Sequence, residues 1–226
     1  TLASCSTLLV QEGQWQRLTK LLPALRQALR TPGLENEPLQ AAVAALSGLG
    51  IQYLQQQRYP QAADAFHVLQ MFSEVPEGGE NIQRLTVARL ARTALKEAAR
   101  PEILESLFDQ YLHSETTRDA AAQALISLGM ESARYQIQQL LLSESRAERT
   151  RILHLIERGG KASVNALLEQ LNMESPWFIT RSIIRLLGEL GNSPLFTAIQ
   201  PFLSHADIRV QQEALQAGAC IGGEYF

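Results

Sequence analysis

Four histidines, His67, His113, His154 and His205, are the side chains best suited to acid–base or metal chemistry near neutral pH. No two of them are four residues apart, and none sits in the HExxH pattern that places two imidazoles on one helix face around zinc. The two cysteines, Cys5 and Cys220, lie at opposite ends of the chain. They give neither a disulfide framework nor a paired-cysteine zinc spacing, a usage that suits a reducing compartment. Cys220 borders an apolar column and is expected to be a small buried hydrophobe. Gly48 and Gly50 fall inside a helical pattern with no lysine following at phosphate-loop spacing, and Gly159-Gly160-Lys161 reads as a helix-capping turn. The acidic residues are scattered and define no acid–base dyad. The sequence therefore nominates no catalytic residue, no metal ligand and no cofactor site.

Two other features have the chemistry of binding. Arg146, Arg149, Arg151, Arg158 and Lys161 cluster in sequence, partly offset by Glu148 and Glu157. They form either a solvated helix face with internal ion pairs or a patch for an anionic partner. Trp177 and Phe178 are adjacent aromatics in a chain with only 6% aromatic residues. Phe178 either packs against a neighbouring loop or stands exposed as an anchor, the kind of residue that dominates interface energies.

The elements that carry these residues are legible as a repeat. The segments at 121–129, 152–160, 183–191 and 214–222 align without gaps, ending on Gly129, Gly160, Gly191 and Gly222, each 31 residues after the last. Ala122, Leu153, Ile184 and Leu215 share one column, and Ala124, Leu155, Leu186 and Ala217 another. Leu125, Ile156 and Leu187 form a third, with Gly218 in the last copy. The columns recur at helical spacing and make one apolar stripe per copy. The shared glycine fits the left-handed cap that ends a helix. A second helix follows each glycine, with apolar sets Ala133, Ile137, Leu140 and Leu141; Val164, Leu168 and Leu171, with Asn172 in the fourth column; and Leu195, Ile199, Phe202 and Leu203. Leu104, Phe108, Tyr111 and Leu112 give an upstream copy behind a helix at 82–99. The polar column Gln123, His154, Arg185 and Gln216 places His154 on a solvated face. In the same register Trp177 and Phe178 open a helix where the next copy has Ile208 and Arg209, so Phe178 stands where that copy has a charge. Such pairs cannot bury both apolar faces alone, and stacking them buries a continuous core. The expectation is an all-α fold, a right-handed α-α superhelix of stacked antiparallel helix pairs.

The segment Asp207-Ile208-Arg209-Val210, with Ala214-Leu215 and Ile221-Gly222, resembles the short bacterial HEAT repeat over roughly residues 82–223. One copy earlier the Asp and Arg of that pattern are Pro176 and Phe178. Further forward, Leu49, Gly50, Tyr53, Tyr59, Ala62 and Phe66 fall at the spacings of a TPR motif. In that motif a glycine and a small residue let two helices approach and aromatics fill the gaps. Pro60 suits the first turn of its second helix, and a weaker copy spans 2–30 around Glu12-Gly13-Gln14-Trp15. Turn-rich stretches lie at 31–38 and 73–80. The domain reading is TPR-like hairpins at 1–75 and HEAT-like repeats at 81–226. The HEAT resemblance implies a groove lined by second helices, through Gln138, Gln139, Asn165, Glu169, Thr197 and Gln200. The TPR resemblance implies one lined by a first helix, through Gln52 and Gln56.

A net charge of −3 argues against a general nucleic-acid role, and no run of 18 apolar residues suggests a membrane span. The start at Thr1 and the end just past a helix suggest a segment of a longer protein. The expected function is a non-enzymatic, cytoplasmic scaffold that binds a protein or peptide. The alternative implied by the resemblance is a HEAT-like enzyme or enzyme partner, bilin-lyase-like or nucleic-acid-processing.

Overall fold

A computed structural model describes residues 15–31, 36–74, 82–191 and 193–222. Among these residues the chain is all-helical, with no strand. In chain order the helices are α1 Trp15–Arg30, α2 Asn36–Gln55, α3 Tyr59–Ser73, α4 Ile82–Ala98, α5 Pro101–His113, α6 Arg118–Ser127, α7 Met130–Leu142, α8 Arg146–Arg158, α9 Gly160–Gln170, α10 Trp177–Leu190, α11 Phe196–Ile199 and α12 Ile208–Gly222. Short 3₁₀ turns at Ser193–Leu195 and Gln200–Ser204 flank α11. No described helix is long and apolar enough to cross a membrane. The chain divides into two compact units, Thr1–Ser132 and Ala133–Phe226.

In the first unit α2 packs on α1, α3 and α4, α3 also meets α4 and α6, and α5 packs on α6. The residues at TPR spacing are its centre: Leu49, Tyr53, Tyr59, Ala62 and Phe66 are all buried. Gly50 is required there, because a Cβ at that position would lie 2.6 Å from the edge of the Phe66 ring. Ser47 ties α2 to α4 by donating to the Ala94 carbonyl at 3.4 Å. Pro60 occupies the first turn of α3, and Asn36, Glu37 and Pro38, read from sequence as part of a turn, instead form the first turn of α2. The weaker early copy lies outside the described residues up to position 14, and so do residues 75–80 of the second turn-rich stretch. The upstream set Leu104, Phe108, Tyr111 and Leu112 is buried along α5.

The 31-residue glycines are helix ends. Gly129, Gly160 and Gly191 all take positive φ, at 70°, 54° and 53°, which a residue with a Cβ adopts only at a cost. Gly222 is the last residue of α12. Ala124, Leu155, Leu186 and Ala217 are buried, as are Leu125, Ile156, Leu187 and Gly218 in the next column. The column of Ala122 and Ile184 breaks at Leu153, half-buried, and at Leu215, which is half exposed.

In the second unit α10 packs on α9 and α12, α8 on α9, and α12 also covers α11 and the 3₁₀ turn after it. Three expectations need correction, two of them on second helices. In α9 the face is rotated: Ser163, Ala166 and Leu167 are buried, whereas Val164, Leu168 and Leu171 are only partly covered and Asn172 is exposed. In the next copy Leu195, Ile199 and Phe202 are buried as read, but the helix is broken into 3₁₀–α–3₁₀, since Pro194 and Pro201 lack the N–H groups a continuous helix needs. Cys220 is exposed, not buried. At the end of a 15-residue terminal helix, position 220 falls off the stripe that carries Ala214, Ala217 and Ile221.

Candidate functional site

The interface between α10 and α12 is built as a ladder of paired positions, the first two of them one helical turn apart. At its first rung the Arg209 guanidinium lies 3.3 Å from the centroid of the Trp177 ring, a cation–π contact. Asp207 holds that guanidinium along its edge, accepting from Arg209 Nε at 3.0 Å and Nη2 at 2.6 Å. The same carboxylate accepts from the Arg209 backbone N–H at 2.9 Å, which makes it the cap of α12. Arg209 therefore holds the Asp207 carboxyl well below its usual range, at about 2. One turn along, Arg181 Nε donates to Glu213 Oε2 at 2.8 Å, with the glutamate nearly buried. At the far end Gly188 meets Ala217 so closely that a Cβ on the glycine would lie 2.7 Å from the alanine's own Cβ.

This ladder fixes Trp177, and Trp177 in turn holds Phe178. Their rings meet edge to face, with centroids 6.0 Å apart and planes at 85°, the favoured geometry for an aromatic pair. Phe178 is still 54% exposed and Ile208, the residue before Arg209, is 60% exposed. The contact of Phe178 is with Trp177 in its own helix, not with a neighbouring loop, and more than half of the residue faces water. His205 stands behind the cap. It is buried and stacked on Phe202, and its Nδ1 accepts from the Asp207 backbone N–H at 3.0 Å.

The other sequence-predicted positions fall into separate groups. Gln138 is exposed and Gln139 half-buried on α7, Asn165 and Glu169 are exposed on α9, Thr197 is exposed on α11, and Gln200 is exposed at the start of the following 3₁₀ turn. Arg134 brings α7 and α9 together by donating from Nε to Glu169 Oε2 at 2.9 Å, so Glu169 is engaged in a pair that its polar column did not announce. Gln52 is half-buried on α2, and Gln56 is exposed just beyond it. His154 is solvent-facing and 3.6 Å from Glu157. Arg146, Arg149, Arg151, Arg158 and Lys161 are all exposed. No group of three or more metal-ligating side chains occurs among the described residues.

Sequence reasoning missed two surfaces of the first unit. One is an open groove of about 490 Å³ with Ile51, Leu54, Tyr59, Ile103 and Leu107 as its apolar lining and Gln55, Arg100, Glu102 and Ser106 as its polar lining. Burial raises the Tyr59 hydroxyl above its ordinary range. The groove uses the positions beside Gln52 and Gln56, not those two residues. The signal was present in the pair Ile103 and Leu107, four residues apart on α5. The other surface is basic. Residues 82–100 hold Arg84, Arg89, Arg92, Lys96 and Arg100 against Glu97 alone, a local charge of +4 in a chain whose total is −3.

No protein-family model and no curated protein matches this chain. Among solved structures, an engineered protein from a structural genomics consortium is similar at 17% identity and a TM-score of 0.28, with coverage of 97% of this chain and 60% of that one. The chain thus spans less than two thirds of that protein's length.

Proposed function

We propose that this chain is a non-enzymatic scaffold that binds a protein partner, and that Phe178 is its anchor in the second unit. The observation that carries the reading is an aromatic ring more than half exposed yet held from behind. Trp177 supports Phe178, Arg209 supports Trp177 and Asp207 supports Arg209. A side chain held in place before binding loses little rotamer freedom on association, and this is what separates an interface anchor from an incidental surface aromatic. The salt-bridged rungs keep the helix ends in register. The HEAT-like and TPR-like character of the repeats, their right-handed stacking and a cytoplasmic location belong to the same proposal. The 31-residue period and the left-handed glycines support it.

The test compares capture of native-source proteins by the full chain and by its Phe178→Ser variant under identical conditions. A partner retained by the parent and lost by the variant, with circular dichroism unchanged, supports the reading. Equal capture by the two proteins removes Phe178 from the interface. A small-molecule turnover that survives in the purified chain would move the protein to the enzyme class instead.

A further inference from the structure

We infer that the first unit carries a second docking site, independent of Phe178, for a partner segment that is both acidic and apolar. Arg89, Arg92 and Lys96 are spaced i, i+3, i+7 on α4 and all are exposed, so they share one helix face. From Arg89 to Lys96 the face runs about 10 Å at the α-helical rise. Arg92 is fixed on it, with Nε donating to the Ser73 carbonyl at 2.9 Å. Arg100 lies four residues beyond Lys96, past the end of α4, as the extended N-cap residue of α5, and its Nε donates to the Glu97 carbonyl at 3.3 Å.

Arg100 also lines the groove between α2, α3 and α5. The groove therefore opens at a basic residue only four positions along the chain from Lys96, within reach of one extended bound segment. Leu107 and Tyr59 are buried, and Ile51, Leu54 and Ile103 are partly covered, so the groove accepts an aliphatic or aromatic side chain and hides it from water. Glu102 is the single acid in its lining. Charge complementarity selects carboxylates to lie along α4, next to a residue that enters the groove. A nucleic acid fits less well. It would use the basic face but would have no need of the groove, and the overall charge of −3 does not favour a long polyanion.

The experiment is fluorescence anisotropy on the full chain with four labelled probes. These are a peptide of about ten residues alternating Glu with Leu and Phe, the same peptide with Lys for Glu, the same with Ser for Leu and Phe, and an oligothymidylate of about the same length; an extended peptide of that length spans face and groove together. The acidic-apolar peptide is expected to bind, with the Lys and Ser versions weaker by about tenfold or more, a difference of about 1.4 kcal/mol. Lys96→Glu with Arg100→Glu is expected to abolish the preference and, if anything, to favour the Lys peptide. Ile103→Ser is expected to weaken the acidic-apolar peptide alone. Because Lys96 and Arg100 are exposed, the charge reversal decides the matter even where Ile103→Ser loses its fold. Phe178→Ser is expected to leave this binding unchanged, which separates the result from the fate of the scaffold reading. Equal binding of the Ser peptide or the oligonucleotide, indifference to the charge reversal, or no binding of the acidic-apolar peptide at about 1 mM, where specific recognition has vanished, overturns the proposal.

Discussion

Replacing Gly188 by alanine sets two effects of opposite sign against each other, and the structure says which wins. On helix propensity alone, Gly→Ala inside α10 gains about 1 kcal/mol. Against that, the new Cβ would lie 2.7 Å from the Ala217 Cβ and 2.9 Å from its Cα. Carbon atoms pack at about 3.5–4.0 Å, so α10 and α12 must separate by several tenths of an ångström or more. The obstructing atoms of Ala217 include backbone and cannot swing aside, and the neighbouring Ile184, Leu187, Val210 and Ala214 are all buried in the same second unit. Overpacking of this kind costs about 1–3 kcal/mol. The separation also stretches the Trp177–Arg209 and Arg181–Glu213 rungs. The expected balance is a loss of up to about 2 kcal/mol, to which the stretched rungs add, and each 1 kcal/mol lowers Tm by about 4–8 °C for a unit of this size. The assay is thermal and urea unfolding followed by Trp177 fluorescence in a Trp15→Phe background, with circular dichroism beside it. Gly48→Ala is the control, since that glycine is also helical but nothing lies within 4 Å of its would-be Cβ. It is expected to stabilise by about 0.5–1 kcal/mol. Adding Ala217→Gly to Gly188→Ala is expected to restore part of the loss, and only part, because the main chain of residue 217 still crowds the new methyl group. A Gly188→Ala protein as stable as the parent, alongside a stabilised Gly48→Ala protein, would refute the close approach of the two helices.

Other consequences can be measured with the same equipment. Gln57 holds a left-handed φ of 56° in the turn between α2 and α3, so Gln57→Gly should raise stability by up to about 1 kcal/mol and Gln57→Val should lower it, read from urea midpoints. Arg181→Ala strips the partner from the nearly buried Glu213 and should cost about 2 kcal/mol, whereas Arg185→Ala breaks the exposed pair with Glu189 and should cost no more than about 0.5 kcal/mol. The Asp207 carboxyl has a folded pKa of about 2 against an ordinary 3.8. Because its folded value is depressed, the Arg209 contact is fully present above about pH 4 and is lost as pH falls from there through about 2. Trp177 fluorescence should shift in that window, and the shift should disappear in Asp207→Asn. Phe178→Ser should leave the unfolding midpoint within about 0.5 kcal/mol of the parent, because its ring is mostly in water.

Much of the fold was legible because helices and their ends are specified locally. A left-handed residue after a helix is a one-residue requirement, so Gly129, Gly160 and Gly191 declared themselves by spacing alone. The pairing of Gly50 with Phe66 was legible for a related reason, since both lie in one hairpin. What stayed hidden depends on how neighbouring copies meet. The rotation of α9 toward Ser163 and Leu167, the exposure of Leu215 and Cys220, and the ion pair from Arg134 to Glu169 each depend on what lies beside a helix, and one helix's own periodicity does not contain that. Gly188 was invisible for the same reason. It falls within the helical pattern of its own segment and acquires meaning only from Ala217, 29 positions later.

The same distinction explains why the candidate surfaces were only half legible. Phe178 was conspicuous because it stands in a column where the next copy has Arg209, and departures from a repeat are where a repeat protein carries information its scaffold does not need. The structure adds why the departure is tolerated. Arg209 lies over the Trp177 ring and Phe178 meets that ring edge to face, so the charge and the aromatic of the two copies both contact one side chain. The basic face of α4 was inconspicuous because its charges lie outside the 31-residue register and had no column to violate. A groove assembled from α2, α3 and α5 becomes visible only when the elements are placed together, and Arg100, which lines it four residues after Lys96, is where that placement can be tested.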